Sequence, residues 1–295
     1  MISVRVPATS ANMGPGFDSL GISLKLYNEY EFAEIDKGIV FEGVEKEFAN
    51  KENIIFQAME KTFKRYKYNY SGLLIKVVKQ QIPISRGLGS SSSCIVAGIV
   101  GAMKLIGIKI NKDEVFKIAV EIEGHPDNVS PAIFGGMTVS IMEQDKPIYN
   151  CINVKPGIKF IALIPRFRLS TAEARAVLPE KLPLADAVFN VGRTALLVST
   201  LINGQYELLK YAVQDKIHQD YRSCLIEGFT EIYRAALDQG ALACYLSGAG
   251  PTIMTIVQAD NEVFKEHIGQ FIKKNNYRYD VLELELDLKG VTILE

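Results

Sequence analysis

The chain has 295 residues, of which 48% are hydrophobic and 23% charged, and its formal net charge at pH 7 is −1. The length allows one large domain or two of ordinary size, and the composition is typical of a soluble globular protein. A net charge near zero gives no reason to expect a nucleic-acid or membrane partner. The longest uninterrupted apolar run, residues 94–103, is far shorter than the roughly 20 residues of a membrane-spanning helix.

The four cysteines are scattered without paired spacing, which disfavours both a disulfide framework and a zinc site. They are Cys94, Cys151, Cys224 and Cys244. We therefore expect reduced thiols in a cytoplasmic protein.

Local patterns in the first half of the chain predict both strands and helices. Alternating apolar residues predict a strand over residues 2–6, which leads into a turn-rich polar stretch at 7–18. Asn53 is the predicted cap of one helix. Asn111 is the predicted cap of another, which ends just before Gly124.

A second unit is predicted to begin near residue 155. Its predicted elements are a strand over 160–165, long helices near 185–202 and 223–237, a strand over 253–257 and a half-buried strand over 282–288. Two mixed units of this kind indicate an α+β fold with antiparallel sheets covered by helices.

The most informative stretch is a glycine- and serine-rich loop between a predicted strand and a predicted buried helix. Its residues are Pro83, Ile84, Ser85, Arg86, Gly87, Leu88, Gly89, Ser90, Ser91, Ser92 and Ser93. Two glycines permit positive φ and close approach to a ligand, and the N-terminus of a following helix attracts anions. The loop therefore predicts a phosphate cradle, but one without the lysine of a Walker A loop. A turn that binds nothing is the alternative interpretation.

A polar cluster follows the second predicted cap. Mg²⁺ in proteins binds through one or two carboxylates plus substrate phosphates, so Glu123 at a helix end is the candidate metal ligand, with Ser91 as a second. A solvated helix-end carboxylate is the alternative. His125, Asp127 and Asn128 lie around a proline, where a hydrogen-bonded turn also explains them.

Two arginines could grip a substrate carboxylate, because guanidinium groups bind carboxylates bidentately. These are Arg175 and Arg222, and their spacing alone does not bring them together. Surface positions are the alternative for both.

Three segments, residues 7–18, 83–93 and 246–252, resemble in order the three motifs of the GHMP small-molecule kinases. Residues 125–129 and 170–175 make the chain similar to the members of that family that phosphorylate homoserine. The resemblance extends over the whole chain.

The resemblance implies a two-domain GHMP kinase fold. A domain like domain 2 of ribosomal protein S5 is expected over residues 1–155, and a ferredoxin-like domain over 156–295, with ATP between them. The implied reaction is Mg²⁺- and ATP-dependent phosphorylation of the side-chain hydroxyl of L-homoserine, in threonine biosynthesis. A homodimer is also implied.

The same resemblance assigns roles to individual residues. The loop 83–93 would wrap the triphosphate, and Ser91 with Glu123 would hold magnesium. The residues that would contact the substrate are Asn12 and Asp18 at its ammonium group, His125 and Asp127 along its backbone end, and Arg175 and Arg222 at its carboxylate.

Catalysis is expected to proceed without a general base. Asn128 stands where some relatives carry a catalytic aspartate, and Thr9 stands where they carry a lysine. An amide cannot accept a proton at neutral pH, so alignment and electrostatic stabilisation are expected to dominate. Arg86 and Ser93 also depart from the small residue and the alanine usual at their positions.

Two alternatives remain open at this point. One is a GHMP kinase that acts on a different small alcohol, and the other is a catalytically silent nucleotide-binding regulator. An acid and two arginines favour an amino-acid substrate, since neither a sugar nor an isoprenoid alcohol needs them.

Overall fold

The strands of residues 1–294, the part of the chain that the computed structural model describes, form two separate sheets. In chain order the strands are β1 (Ile2–Ala11), β2 (Leu20–Ile35), β3 (Gly38–Glu42), β4 (Gly72–Gln80), β5 (Met137–Glu143), β6 (Lys146–Ile152), β7 (Ile158–Pro165), β8 (Ala243–Leu246), β9 (Ile253–Gln258), β10 (Tyr279–Leu284) and β11 (Thr292–Leu294). The α-helices are α1 (Ile54–Arg65), α2 (Ser90–Ile106), α3 (Lys112–Glu123), α4 (Val129–Phe134), α5 (Thr171–Ala176), α6 (Leu184–Asn203), α7 (Leu209–Ala212), α8 (Gln219–Ser223), α9 (Phe229–Asp238) and α10 (Phe264–Lys274). The predicted α+β fold class is confirmed.

The first sheet has the strand order β11-β1-β2-β4-β3, and the β5–β6 hairpin extends it from β2. Strand β1 is longer than predicted, because residues 7–11 continue to pair with β2 after a bulge between Pro7 and Ala8. Proline has no N–H to donate, and a bulge is one of the few places where a strand tolerates that loss. The polar stretch therefore begins as strand, and it leaves the sheet only after Ala11.

The second sheet has the order β10-β7-β9-β8. Its strands and intervening helices follow a β-α-β-β-α-β connectivity, which is that of a ferredoxin-like domain. Strand β11 lies outside this sheet and pairs with β1, with Leu294 opposite Ser3. The division of the chain at residue 155 stays a prediction, with the last strand belonging to the first sheet.

Both predicted helix caps are present. The Asn53 side-chain oxygen accepts hydrogen bonds from the backbone N–H groups of Ile55 and Phe56. The Asn111 side chain accepts from Asp113 and Glu114 in the same way. Each cap satisfies donors that have no partner within the helix itself.

The prediction of one long helix over residues 223–237 is wrong. Helix α8 ends at Ser223, and α9 begins only at Phe229. Gly228 separates them with a φ of +71°, which lies outside the helical region. A Cβ atom at this position would lie 2.4 Å from the Tyr277 ring, so packing against that ring also requires glycine.

A shared apolar core joins the two sheets. Leu20 and Ile22 of β2 pack in one buried cluster with Phe160 and Ala162 of β7 and with Leu197 of α6. The two domains therefore meet through a continuous interior, and the cleft between them lies at its edge.

Helix α6 is long and apolar enough, by length and composition alone, to cross a membrane. Its sequence is not an uninterrupted apolar run, because Asp186, Asn190 and Arg193 lie within it. In the structure its inner face packs on the shared core.

Helix α2 packs so closely on the first sheet that it has no room for a side chain at Gly101. A Cβ atom there would lie 2.4 Å from the Phe32 ring, and both residues are buried in the same core. We expect Gly101→Ala to lower the free energy of unfolding by about 1–3 kcal/mol, because overpacking displaces the ring. Denaturant unfolding measures the change.

Gly269 in the middle of α10 is the matched control. A Cβ atom added there meets no atom within 4 Å. Gly269→Ala should raise stability by up to about 1 kcal/mol, since alanine favours a helix over glycine. Equal effects of the two substitutions would contradict the packing argument.

Candidate active site

A cavity of about 580 Å³ opens between the two domains. Most of the residues proposed from the sequence line it: Asn12, Asp18, Ile84, Ser85, Arg86, Gly87, Gly89, Ser90, Ser91, Ser92, Glu123, His125, Asp127, Asn128, Arg175 and Arg222. Pro83, Leu88 and Ser93 lie outside the lining. The fold thus brings the three motifs, which are distant in sequence, to one cleft.

The glycine loop ends at the N-terminus of α2. Gly87 and Gly89 have φ values of +74° and +71°, and no side chain caps the helix at Gly89. A Cβ atom on Gly89 would lie 1.9 Å from the hydroxyl of Thr9. The first amides of a 17-residue helix therefore face the cavity, where its dipole favours an anion.

Side chains from the second domain hold the loop in place. The Ser247 hydroxyl donates to the Gly87 carbonyl at 2.6 Å, and the Thr252 hydroxyl donates to the Arg86 carbonyl at 2.5 Å. Both donors are buried. The third motif thus fixes the backbone of the second, a role that residue patterns did not reveal.

Two loop residues that depart from the family pattern are hydrogen-bonded within the protein. The Arg86 guanidinium donates to the Pro165 carbonyl at 3.0 Å and so reaches the second domain. The Ser93 hydroxyl is buried beneath the loop, 2.9 Å from the Tyr30 hydroxyl. Leu88 is buried in the shared core. The nucleotide contacts expected of Ser93 and Leu88 stay predictions, and their buried side chains leave only the backbone to make them.

Glu123 is the last residue of α3 and faces the start of α2. Its carboxylate accepts hydrogen bonds from the hydroxyls of Ser91 at 3.0 Å and Ser92 at 2.9 Å. One carboxylate with adjacent hydroxyls, beside a phosphate position, matches the oxygen donors that Mg²⁺ takes. Ser92 is as near as Ser91, so geometry does not single out the serine chosen from the sequence.

His125 and Asp127 form a hydrogen-bonded pair that also lines the cavity. The distance from His125 Nδ1 to Asp127 Oδ1 is 2.7 Å. Burial lowers the pKa of His125, but the hydrogen bond and charge of Asp127, together with Glu123 and Asp18, more than offset this. The pKa of His125 is therefore raised, and its positive form persists to higher pH.

Asn128 and Thr9, distant in sequence, are in contact. The Thr9 hydroxyl donates to the Asn128 side-chain oxygen at 2.8 Å. This contact takes the place of the lysine–aspartate pair expected in some relatives. Neither side chain can accept a proton at neutral pH.

Asp18 and Arg175 form a bidentate ion pair at 2.7 and 3.2 Å. Asn12 holds the adjacent loop, since its amide donates to the Gly248 carbonyl and accepts from the Asp18 N–H. Asn12 thus uses both ends of its amide within the protein. Its contact with a substrate ammonium group stays a prediction.

Arg222 is only 1% exposed and is fixed by its neighbours. Its guanidinium donates to the carbonyls of Ala174 and Gly248 and to Nδ1 of His218. Burial and then the charge of Arg175 lower the pKa of Arg222 to about 10, so it stays protonated at pH 7.

Phe17, which sequence reasoning missed, lies beside both arginines. The guanidinium carbons of Arg175 and Arg222 are 5.5 and 5.3 Å from its ring centroid. The His218 ring is 5.2 Å from it on another side. The aromatic ring thus brings together two cations that their spacing in the sequence did not connect.

A buried polar network supports the loop that carries Phe17 and Asp18. His218 Nε2 donates to the Gly14 carbonyl at 2.8 Å, and burial lowers the pKa of this histidine, which favours the neutral ring. Asn190 donates to the Pro15 carbonyl and to Asp215. No local motif marks these residues, because their partners lie far away in sequence.

Comparisons with known proteins agree with this architecture. The family model for the N-terminal domain of GHMP kinases matches residues 53–136, and the model for the C-terminal domain matches residues 197–273. Homoserine kinase of Clostridium beijerinckii is 54% identical over 295 residues, which is 100% of this chain and 99% of that protein.

Solved structures show the same similarity. A homoserine kinase from Cytophaga hutchinsonii superposes with a TM-score of 0.89 at 27% identity, covering 99% of this chain and 97% of its own. A putative homoserine kinase from Listeria monocytogenes superposes with a TM-score of 0.80 at 30% identity and full coverage of both chains. A mevalonate kinase from L. major, at 16% identity and a TM-score of 0.74 over 97% of this chain and 95% of its own, shares the fold. The chain belongs to the GHMP kinase family.

Proposed function

We propose that this protein transfers the γ-phosphoryl group of ATP to the side-chain hydroxyl of L-homoserine, forming O-phospho-L-homoserine for threonine biosynthesis. The observation that carries the proposal is the placement of a phosphate cradle and a set of amino-acid-binding charges in one cavity. Homoserine kinases of more than half identity over the full chain support the choice of substrate.

The nucleotide is assigned to the helix N-terminus. The triphosphate would accept hydrogen bonds from the first amides of α2, where the helix dipole favours negative charge. Glu123 with Ser91 or Ser92 would hold Mg²⁺. When bound, the ion neutralises charge on the phosphate oxygens.

The amino-acid end of the substrate is assigned to the pair of Asp18 and Arg175. A zwitterion can satisfy both members, because its ammonium group complements Asp18 and its carboxylate complements Arg175. Arg222, which lines the same cavity beside Phe17, adds a second positive charge for the carboxylate. His125, held by Asp127, lines the same cavity and is assigned to the backbone end of the substrate.

Phosphoryl transfer would proceed by alignment of the hydroxyl with the γ-phosphate. Asn128, anchored by Thr9, can orient a hydroxyl through its amide but cannot take its proton. The loose transition state of phosphoryl transfer needs little help from a base, so the proton can leave late to a phosphate oxygen or solvent.

The biological setting belongs to the same proposal. Cytoplasmic location is inferred from the unpaired cysteines, and a homodimer from the family resemblance. The small net charge supports a small-molecule substrate, with neither nucleic acid nor membrane as a partner.

An ADP-release assay tests the proposal directly. The protein is supplied with Mg²⁺ and ATP and with homoserine, serine, threonine, mevalonate, galactose or shikimate in turn. Release with homoserine alone is the expected result. Release only with another alcohol would refute the assignment of the arginines, and silence with all of them while ATP binds would favour a nucleotide sensor.

Glu123 and Asn128 should differ sharply in their contribution to kcat. Glu123→Ala should lower kcat by about three orders of magnitude, because it removes the carboxylate proposed to hold Mg²⁺ beside the phosphates. Asn128→Ala should lower it by less than the roughly 10²-fold that the weakest general bases contribute. Steady-state kinetics measures both, and similar losses would contradict catalysis without a base.

Arg175 should act on homoserine binding more than on ATP binding. Arg175→Ala should raise the KM for homoserine about 10- to 100-fold, the value of one or two charged hydrogen bonds, while the KM for ATP stays unchanged. Arg166, which pairs with Asp280 on the exposed surface, supplies the control. Arg166→Ala should alter neither constant. An equal rise in the KM for homoserine in both variants would refute the assignment of Arg175 to the substrate carboxylate.

Homoserine binding should weaken as pH rises through the raised pKa of His125. Because this pKa is shifted upward, the positive charge is present below it and lost above it. The ratio kcat/KM for homoserine at saturating ATP should therefore fall at a pH above the ordinary titration range of histidine, and His125→Gln should remove that fall. If His125→Gln keeps the wild-type dependence of kcat/KM on pH, His125 is not the source of the fall.

A further inference from the structure

Strand β2 carries two buried polar side chains to which the active site described above gives no role. They are Asn28, which is 2% exposed, and Tyr30, which is 1% exposed. Residues two apart on a strand project to the same face, so these side chains lie next to each other. Both line the active-site cavity. Buried polar groups of this kind are retained with partners, and the partners of these two lie at the ends of the loop 83–93.

The side-chain oxygen of Asn28 holds the start of the loop. It accepts hydrogen bonds from the backbone N–H groups of Gln81 and Ile82, both at 2.9 Å. These are the first two residues after β4, which ends at Gln80. Backbone donors that leave a sheet need a new partner where they are buried, and one side-chain oxygen serves both of these. The entry to the loop 83–93 is therefore attached to β2.

These two bonds also determine how the Asn28 amide is oriented. Because its oxygen accepts from both backbone groups, its NH₂ group faces Tyr30 and donates to the hydroxyl oxygen at 3.0 Å. Burial raises the pKa of Tyr30 well above its usual value, so the hydroxyl keeps its proton. That proton is available to a further acceptor.

The Tyr30 hydroxyl reaches the far end of the loop. It lies 2.9 Å from the hydroxyl of Ser93 and 3.5 Å from the sulfur of Cys94. Ser93 is fully buried in the first turn of α2, where its backbone N–H donates to the Gly89 carbonyl. The exit of the loop is thus attached to the same strand as its entry.

We propose that Asn28 and Tyr30 are positioning residues for the phosphate loop, joined with Ser93 in a hydrogen-bonded relay that fixes the two ends of the loop relative to each other. The relay acts on a nucleotide through the backbone that it holds, since the first amides of α2 follow the loop directly. In this respect the inference rests on the nucleotide site of the proposed function.

The relay supplies a restraint that the second domain does not. Ser247 and Thr252 hold the carbonyls of Gly87 and Arg86, in the middle of the loop. Glycines leave a loop free to adopt other conformations unless its ends are also held. A ligand that binds one conformation has an apparent Kd that rises as that conformation becomes less populated. Loss of the relay should therefore weaken phosphate binding, although no phosphate contact is removed.

Direct contact with the nucleotide is the competing explanation, because Asn28 and Tyr30 line the cavity. Their hydrogen-bonding groups are mostly occupied within the protein. The Asn28 oxygen already accepts two bonds, and the Tyr30 hydroxyl accepts one and has Ser93 beside it for another. This arrangement favours a positioning role.

Calorimetric titration with ADP and Mg²⁺, and separately with adenosine, tests the relay without reference to homoserine. Tyr30→Phe removes the shared hydroxyl and should raise the Kd for ADP about 5- to 10-fold, the net contribution of one buried hydrogen bond. The Kd for adenosine should stay unchanged, because adenosine has no phosphate to meet the loop. Equal weakening of both ligands would assign Tyr30 to the nucleoside instead and overturn the proposal.

Tyr279 supplies the matched control. It is 8% exposed, its hydroxyl donates to the Glu227 carbonyl at 2.7 Å, and it does not line the cavity. Tyr279→Phe should lower the free energy of unfolding to a similar extent as Tyr30→Phe and leave the Kd for ADP unchanged. If both variants weaken ADP binding equally, the effect reflects a general loss of stability and the relay is refuted.

Ser93→Ala removes the other end of the relay and stands in for Tyr30→Phe should that variant fail to fold. It should raise the Kd for ADP about 2- to 3-fold, the lower end for a hydrogen bond, because the sulfur of Cys94 remains as a partner for Tyr30. The double variant should bind ADP as Tyr30→Phe does, since both changes break the same bond. An unchanged Kd in Ser93→Ala, or additive losses in the double variant, would overturn the relay.

Hydrogen exchange shows whether the loop itself has loosened. In ligand-free Tyr30→Phe, the amides of residues 81–93 should exchange faster than in wild type, while those of α10 exchange at the wild-type rate. Unchanged exchange over 81–93 would contradict the proposal.

Steady-state kinetics separates this inference from the proposed function. Tyr30→Phe should raise the KM for ATP and leave the KM for homoserine unchanged. If the variants bind ADP as expected but wild type phosphorylates no homoserine, the relay stands and the proposed function fails. If wild type phosphorylates homoserine while all variants bind ADP as tightly as wild type, the proposed function stands and the relay fails.

Discussion

The active site depends on a phosphate loop that is held from both sides. Beneath it, the Gly89 backbone lies so close to the hydroxyl of Thr9 that no side chain fits between them. Across the cleft, Ser247 and Thr252 donate to its carbonyls. Because these contacts fix the turn, the first residues of α2 already line the cleft, where we propose that their amides bind the phosphates with little further ordering. The carboxylate of Glu123 lines the same cleft.

A second constraint concerns the charges around Phe17. Burying a cation is costly unless it is hydrogen-bonded, and Arg222 meets this cost with two carbonyls and the neutral ring of His218. Asp18 offsets the charge of Arg175 at the cleft surface. The cleft thus holds two arginines close together before any substrate carboxylate is present. An amino acid can exchange one ion pair for two of its own, which is a physical basis for preferring it over an uncharged alcohol.

Local chemistry explains what could be predicted from the sequence. Asn53 and Asn111 bond to amides two and three residues away, so their caps are visible in a short window. The glycine- and serine-rich loop is also a contiguous stretch, residues 83–93, so its composition is visible in the same way. The break before α9 could not be predicted from a short window, because Gly228 packs against the ring of Tyr277, about fifty residues later. The position of Phe17 between two arginines, and the turn of Arg86 toward Pro165, likewise depend on the packing of two domains. Such contacts leave no periodic signal.

The pairing of β11 with β1 has a consequence for how this chain can be rearranged. Leu294 lies opposite Ser3 in adjacent strands, so the first and last strands that the structure describes are neighbours in one sheet. A short linker could join them, and new ends could be opened in a surface loop far from the cleft. The two domains also share one interior, so neither half of the chain should be expected to fold when expressed alone. Because its first and last strands are adjacent, we expect the protein to tolerate a break in a surface loop better than separation of its two domains.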